Sequence, residues 1–242
     1  EDGDYIVRVQ FEDAGGPRPV EELSFSYPQQ SLPLPAPAAR MVGPLPPPVA
    51  PTPFKVNVGK AGGFQITTHG ARYAVQSRVS WPNGEFNRLI PGNKTAGDGE
   101  RSWSTQVRKV AADQYEITAE GNFYTIQRDV EVFPTHVYVK DTYINKTKED
   151  LGLLIYNEIP VAPDQITRSY LSGNEQTGRL PVLNYPDYAP SLYFNDANSG
   201  MGLIPIDDVY VVQAAAYVEN NAAGVCTEKF ALGPEKSYTL EW

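Results

Sequence analysis

Tyr73-Ala74-Val75-Gln76-Ser77-Arg78-Val79-Ser80-Trp81, followed by Pro82-Asn83-Gly84, is the stretch on which the fold reading turns. The side chains alternate between apolar and polar over nine residues. Period two puts successive side chains on opposite faces of an extended chain, so this is a strand with one buried face. Pro82-Asn83-Gly84 then reverses the chain, because proline presets one backbone angle and Asn-Gly tolerates the left-handed region.

The same pattern recurs outward in both directions. Upstream, Phe54-Lys55-Val56-Asn57-Val58 alternates, Gly59 and Gly62-Gly63 turn the chain, and Phe64 to Thr67 continues. Downstream, residues 104–110, 115–119, 124–133 and 137–144 read as consecutive antiparallel strands. Residues 151–160, 209–218, 230–232 and 238–242 complete the series. No convincing amphipathic helix is present. Turn signals every eight to twelve residues predict an all-β fold, a large two-sheet antiparallel β-sandwich over residues 54–242.

Residues 161–200 carry Pro163, Gly173, Gly178, Pro181, Pro186 and Pro190 with little periodicity, and are expected to be a long excursion over one face. Residues 1–27 form an N-terminal arm, in which Tyr5, Val7, Val9 and Phe11 share one face of a strand and Leu23 to Tyr27 supplies a second short run. Residues 28–53 hold ten prolines and are expected to be an extended, Pro-rich tether. The chain begins at Glu1, without a signal segment, and is expected to be a processed chain or a piece of a longer one.

Composition narrows the function classes. The 242 residues are 41% hydrophobic and 20% charged, enough apolar material for a core. Their 22 Pro, 20 Gly and 15 Tyr suit strands joined by turns. A formal net charge of −9 argues against duplex nucleic acid as a partner. No run approaches eighteen consecutive apolar residues, so no membrane span is expected. The single Cys226 excludes a disulfide framework within the chain and is expected to be a buried, inert thiol.

Three further stretches belong together: residues 73–89, beginning with the opening strand; residues 137–153, Val137-Tyr138-Val139-Lys140-Asp141-Thr142-Tyr143-Ile144-Asn145 and onward through Glu149-Asp150-Leu151-Gly152-Leu153; and Met201-Gly202-Leu203-Ile204-Pro205-Ile206-Asp207-Asp208-Val209-Tyr210. They resemble the galactose-mutarotase-like, or supersandwich, β-sandwich domains of secreted bacterial carbohydrate-active proteins. The resemblance covers residues 54–242. It implies an extracellular location and a link to glycans. In such proteins a barrel domain follows the sandwich and carries the chemistry, and this chain is expected to be without it. The mutarotases themselves use histidines and a carboxylate on a concave face. His69 and His136 stand in no matching context, so no catalytic residue is carried over and the chain is expected not to be an enzyme.

Candidate binding residues lie mostly in the excursion. Asn184, Tyr185, Asp187, Tyr188 and Tyr193 combine aromatic faces, on which sugars stack, with side chains that bind hydroxyls. The alternative is that these rings pin the loop to the sandwich. Asp207-Asp208 sits where adjacent strand carboxylates would diverge, and reads as a strand end. Together with Asn195, Asp196 and Asn198 it offers oxygens of the kind that bind calcium, without EF-hand spacing, and no metal site or cofactor is assigned. Gly59–Gly63 and Gly92–Gly99 read as turns, Trp81 and Trp103 as core, and Glu131 with His136 as a structural pair across a bend. Asn93-Lys94-Thr95 and Asn145-Lys146-Thr147 have the form of N-glycosylation acceptors.

Two functions remain open. One is a non-catalytic extracellular glycan-associated accessory or surface protein. The other is a structural subunit of a surface layer or filament, whose arm adds a strand to a neighbouring copy. The partners are then a glycan or copies of the chain itself. A mutarotase- or glycosidase-type enzyme is the third reading and requires acids or a His–carboxylate set converging on one face.

Overall fold

A computed structural model of the chain describes residues 53–94, 99–176 and 190–242 in full, and residues 3–9, 12–13, 16–17, 21–27 and 182–184 by backbone alone. The chain divides into two compact units, Glu1–Val49 and Ala50–Trp242. In the first, β1 (Gly3–Val9), β2 (Glu12–Asp13), β3 (Gly16–Pro17) and β4 (Glu21–Tyr27) form two antiparallel pairs, β1 with β4 and β2 with β3. The strand read as an assembly arm therefore pairs with residues of its own chain, Tyr5 opposite Phe25 and Val7 opposite Leu23. Phe11 and the Pro-rich tether lie outside the described residues.

The second unit begins with β5 (Phe54–Val58), β6 (Phe64–Thr68), β7 (Ala71–Ser80) and β8 (Phe86–Leu89). Then come β9 (Ser104–Ala111), β10 (Gln114–Glu120), β11 (Tyr124–Val132), β12 (Val137–Asn145) and β13 (Leu151–Pro160). The former excursion contributes β14 (Arg168–Leu171), β15 (Asn174–Glu175), β16 (Val182–Asn184), β17 (Leu192–Asn195) and β18 (Gly200–Leu203). The helix α1 (Asp208–Gln213), β19 (Ala214–Glu219), β20 (Ala222–Leu232) and β21 (Ser237–Glu241) close the chain. One large sheet runs β16-β19-β20-β13-β7-β6-β5, with β8 also on β7; a second runs β21-β12-β11-β10-β9; a third, small one runs β15-β14-β17-β18. The fold is an all-β sandwich. No helix among the described residues is long and apolar enough to cross a membrane.

Alternation builds the core as the opening stretch predicts. Val75 and Val79 of β7, Leu153, Ile155 and Ile159 of β13, and Val225 of β20 point inward from the large sheet. Ile117, Ile126, Val130, Val139 and Tyr143 of the second sheet belong to the same buried cluster. Each such side chain contributes about 1.5–3 kcal/mol on leaving water.

A buried polar chain also bridges the layers. Arg128 (β11) donates from Nε and Nη2 to both oxygens of Asp141 (β12), at 2.6 and 2.8 Å. Its Nη2 also donates to Ser77 Oγ (β7) at 2.6 Å. Ser77 donates to Asn157 Oδ1 (β13) at 2.6 Å, and Asn157 Nδ2 donates to Tyr210 Oη (α1) at 2.9 Å. Burial alone pulls the Arg128 guanidinium toward neutrality, but the carboxylate of Asp141 outweighs it and raises its pKa. Trp242 Nε1 donates to Asp141 Oδ2 at 3.0 Å, tying in the last residue.

The structure departs from the sequence reading in three elements. Residues 209–218 are not one strand: Asp208–Gln213 is helical and only Ala214–Glu219 is extended. Residues 222–229 belong to an eleven-residue strand, β20, of which only 230–232 is legible. The excursion supplies a small four-stranded sheet, β15-β14-β17-β18, and adds β16 to the edge of the large sheet.

Candidate functional site

An open cavity of about 910 Å³ lies in the second unit, where the large sheet, Trp242 and the β17–β18 hairpin converge. Its apolar lining includes Phe64 and Ile66 of β6, Val75 of β7, Ile159 of β13 and Leu203 of β18. Phe64 and Trp242 stack there with ring centroids 6.3 Å apart. Three turns supply its polar rim.

The first is the β6–β7 hairpin. Thr68 pairs with Ala71, so the loop is the dipeptide His69-Gly70, with φ of 45° and 81°. Two consecutive positive φ values are what a type I′ hairpin requires, and they bring the His69 side chain to the rim. The second is the β11–β12 turn. The Phe133 amide donates to the His136 carbonyl at 2.8 Å, and the two rings stack 4.7 Å apart. Thr135 Oγ1 and His136 Nδ1 are 2.9 Å apart. Glu131 does not pair with His136; its Oε1 accepts from Gln114 Nε2 at 3.0 Å.

The third turn is the β17–β18 loop, Asp196 to Ser199. Asp196 Oδ1 accepts from the Asn198 and Ser199 amides at 2.7 and 2.8 Å, and Oδ2 accepts from Tyr73 Oη at 2.9 Å. Burial raises the Asp196 pKa, but these three donors outweigh it and hold the carboxyl below its usual range. Tyr73 is pushed up to about 12, by burial first and then by the bond to Asp196. The loop is thus anchored to β7, and Tyr73 meets Phe194 edge-on at 6.0 Å. Beside it the Tyr193 side chain is 43% exposed, and its hydroxyl accepts from Asn195 Nδ2 at 3.0 Å. Gly200 makes room for that pair, since a Cβ there would stand 2.4 Å from Tyr193 Oη.

Of the residues read as glycan ligands, Tyr193 lines this cavity. Tyr185, Asp187, Tyr188 and the Asn184 side chain lie outside the described residues. Asn195, Asp196 and Asn198, weighed as calcium ligands, do come together on the rim. Asp207 is elsewhere in role: it caps α1, its Oδ1 accepting from the Val209 and Tyr210 amides. Among the described residues no three His, Cys, Asp or Glu side chains form a metal-binding group. Sequence reasoning missed His69 and His136 as site residues; both line this cavity, brought there by turns far apart in the sequence. His69-Gly70 was the available signal, as a two-residue hairpin loop.

Asn93 is exposed, and Thr95 of its triplet lies outside the described residues. Asn145 needs correction as an acceptor. It is 1% exposed, and its Nδ2 donates to the carbonyls of Glu149, Leu232 and Gly233. A sugar on that nitrogen would replace one of its two hydrogens and break part of this bonding to the three carbonyls.

A second cluster lies on the face of the large sheet turned away from the core. Glu158 (β13) is 3% exposed and accepts four hydrogen bonds: from Gln76 Nε2 at 2.7 Å, Arg78 Nε at 2.8 Å, Arg78 Nη2 at 3.0 Å and Tyr217 Oη at 2.6 Å. Burial raises its pKa, yet the bonds from Arg78, Tyr217 and Gln76 prevail and lower it. The Arg78 guanidinium also lies over the rings of Phe86 and Tyr156, at 5.0 and 4.5 Å. A carboxylate so fully bonded is a poor proton acceptor, and the cluster fixes the sheet rather than offering a reactive group. Cys226 of the same face is buried, and burial pushes its thiol up to about 12.

No protein-family model matches the chain, and no curated protein matches it. Among solved structures, one from Escherichia coli K12 described as a "Putative aldose 1-epimerase" is similar, with a TM-score of 0.40 and 9% identity over 78% of this chain and 97% of that one. The relationship is one of fold. The expectation that this chain is not an enzyme is withdrawn: the similar structure is described as an epimerase.

Proposed function

We propose that this chain is an extracellular, glycan-associated β-sandwich that holds a saccharide in the cavity rimmed by the β17–β18 hairpin. One observation carries the reading. The half-exposed Tyr193 ring, fixed through Asn195, shares an apolar-floored cavity with Asn195, Asn198, Ser199, His69 and His136. A pyranose has apolar C–H faces and a girdle of hydroxyls. It is matched by an aromatic face beside side chains that donate and accept hydrogen bonds.

Isothermal titration against a glycan panel tests this. Tyr193→Ala is expected to weaken the bound saccharide by roughly tenfold, about 1.4 kcal/mol. Tyr193→Phe keeps the ring and is expected to retain most of the affinity. Circular dichroism confirms the fold of each variant. Unchanged affinity in Tyr193→Ala removes the cavity as the site.

A further inference from the structure

Charge, size and an unexplained pair of exposed side chains together define what the cavity accepts. No lysine or arginine is among the described residues that line it, and histidine is the sole lining type able to carry positive charge. The one carboxylate among those described residues, Asp196, accepts hydrogen bonds from the Asn198 and Ser199 amides and from Tyr73, which favour its ionised form. A uronate or sulfated sugar would meet that negative charge with no guanidinium or ammonium among the described lining residues to pair with, and desolvating an unpaired anion is costly. At about 910 Å³ the cavity stands near the top of the ~300–1,000 Å³ range of small-molecule pockets, so a single sugar ring leaves much of it empty.

Ile204 and Ile206 line the same cavity and are 60% and 52% exposed, while Pro205 between them is buried. Alternation therefore turns both isoleucines to one side, and the Ile206 amide, donating to the Glu241 carbonyl at 2.8 Å, fixes the segment against β21. Neither side chain serves the core. An apolar strip beside Tyr193 suits the C–H faces of further sugar units.

We infer that the cavity takes an uncharged oligosaccharide of several units, with Ile204 and Ile206 forming a subsite beyond the one at Tyr193. The inference rests on the saccharide reading above and adds the ligand's charge and length. The full chain is titrated with gluco-, xylo- and manno-oligosaccharides from single sugars to hexasaccharides, and with oligogalacturonates of the same lengths.

Affinity for at least one neutral series rises about tenfold between the disaccharide and the tetrasaccharide, and oligogalacturonates bind at least about tenfold more weakly. The double variant Ile204→Ser, Ile206→Ser, at surface positions that leave the core intact, loses about tenfold on the tetrasaccharide and less than about twofold on the disaccharide. Equal affinity at all lengths, tighter binding of galacturonates, or a double variant that weakens every length alike overturns the inference. In those outcomes Tyr193→Ala still weakens binding roughly tenfold, so the saccharide reading survives. If no saccharide binds the unsubstituted chain, both fail together.

Discussion

Glu158 shows what a single side chain can be made to do by neighbours far away in sequence. Its folded pKa is lowered, because the bonds from Arg78, Tyr217 and Gln76 outweigh burial. A carboxyl depressed on folding stabilises the native state fully above the unfolded value of ~4.3, and that stability is lost as pH falls through the lower folded value. Glu158→Gln is therefore expected to cost about 1–3 kcal/mol near neutral pH, since Arg78 is left partly buried without its anion. The cost shrinks as pH falls below the unfolded value toward the lowered folded one, where the native carboxyl also protonates. Urea midpoints measured for both proteins across that range decide it, and parallel curves would sink the assignment. The inward and outward faces of β7 and β13 were legible in sequence from their alternation. That Arg78 and Glu158 belong together was not, because the pairing of Gln76 with Glu158 in the β7–β13 register joins segments some eighty residues apart. Asn145 illustrates the same limit: its triplet advertises an acceptor, while its contacts with Leu232 and Gly233 are invisible locally.

At the scale of elements, the segment after Ile206 is the clearest misreading. Val209 to Val218 is apolar enough to pass for one strand, but Asp207 accepts from two successive amides and starts a turn of helix. Asp207 Oδ2 also accepts from the Glu241 amide at 2.9 Å, so the cap fastens α1 to β21. Asp207→Ala is expected to destabilise the chain by about 1–2 kcal/mol and to speed hydrogen exchange at the Val209, Tyr210 and Glu241 amides. Loss of stability without faster exchange at those amides would place the effect elsewhere. The long strand β20 escaped notice for another reason. Residues Ala222 to Thr227 are buried without interruption, so no period-two contrast marks them. Only the preceding Asn220-Asn221, both at positive φ and flanked by the Glu219–Ala222 pair, signals the hairpin.

For the molecule as a whole, composition and turn spacing were sufficient to fix the layers, because any chain that alternates this often must bury one face of each sheet. They could not place the cavity, which needs three turns from distant parts of the sequence to meet over one apolar floor. The packed interior described for residues 50–242 is drawn from that unit's own strands, from Phe64 through Trp242, and the buried chain from Trp242 through Asp141, Arg128, Ser77 and Asn157 to Tyr210 lies wholly within it. Stability resides in such shared burial rather than in chain length, and the described core of this unit comes from its own strands. Removing residues 1–49 is therefore expected to leave a sandwich with one cooperative thermal transition within about 5 °C of the full chain, a shift on the order of 1 kcal/mol for a domain this size. The truncated protein is also expected to bind the same saccharide with unchanged affinity, because every described residue lining the cavity follows Pro53. Differential scanning calorimetry and titration measure the two outcomes separately. A broad or missing transition would mean that the first unit supplies part of the core, whereas a normal transition with lost binding would move the ligand contacts into residues 1–49.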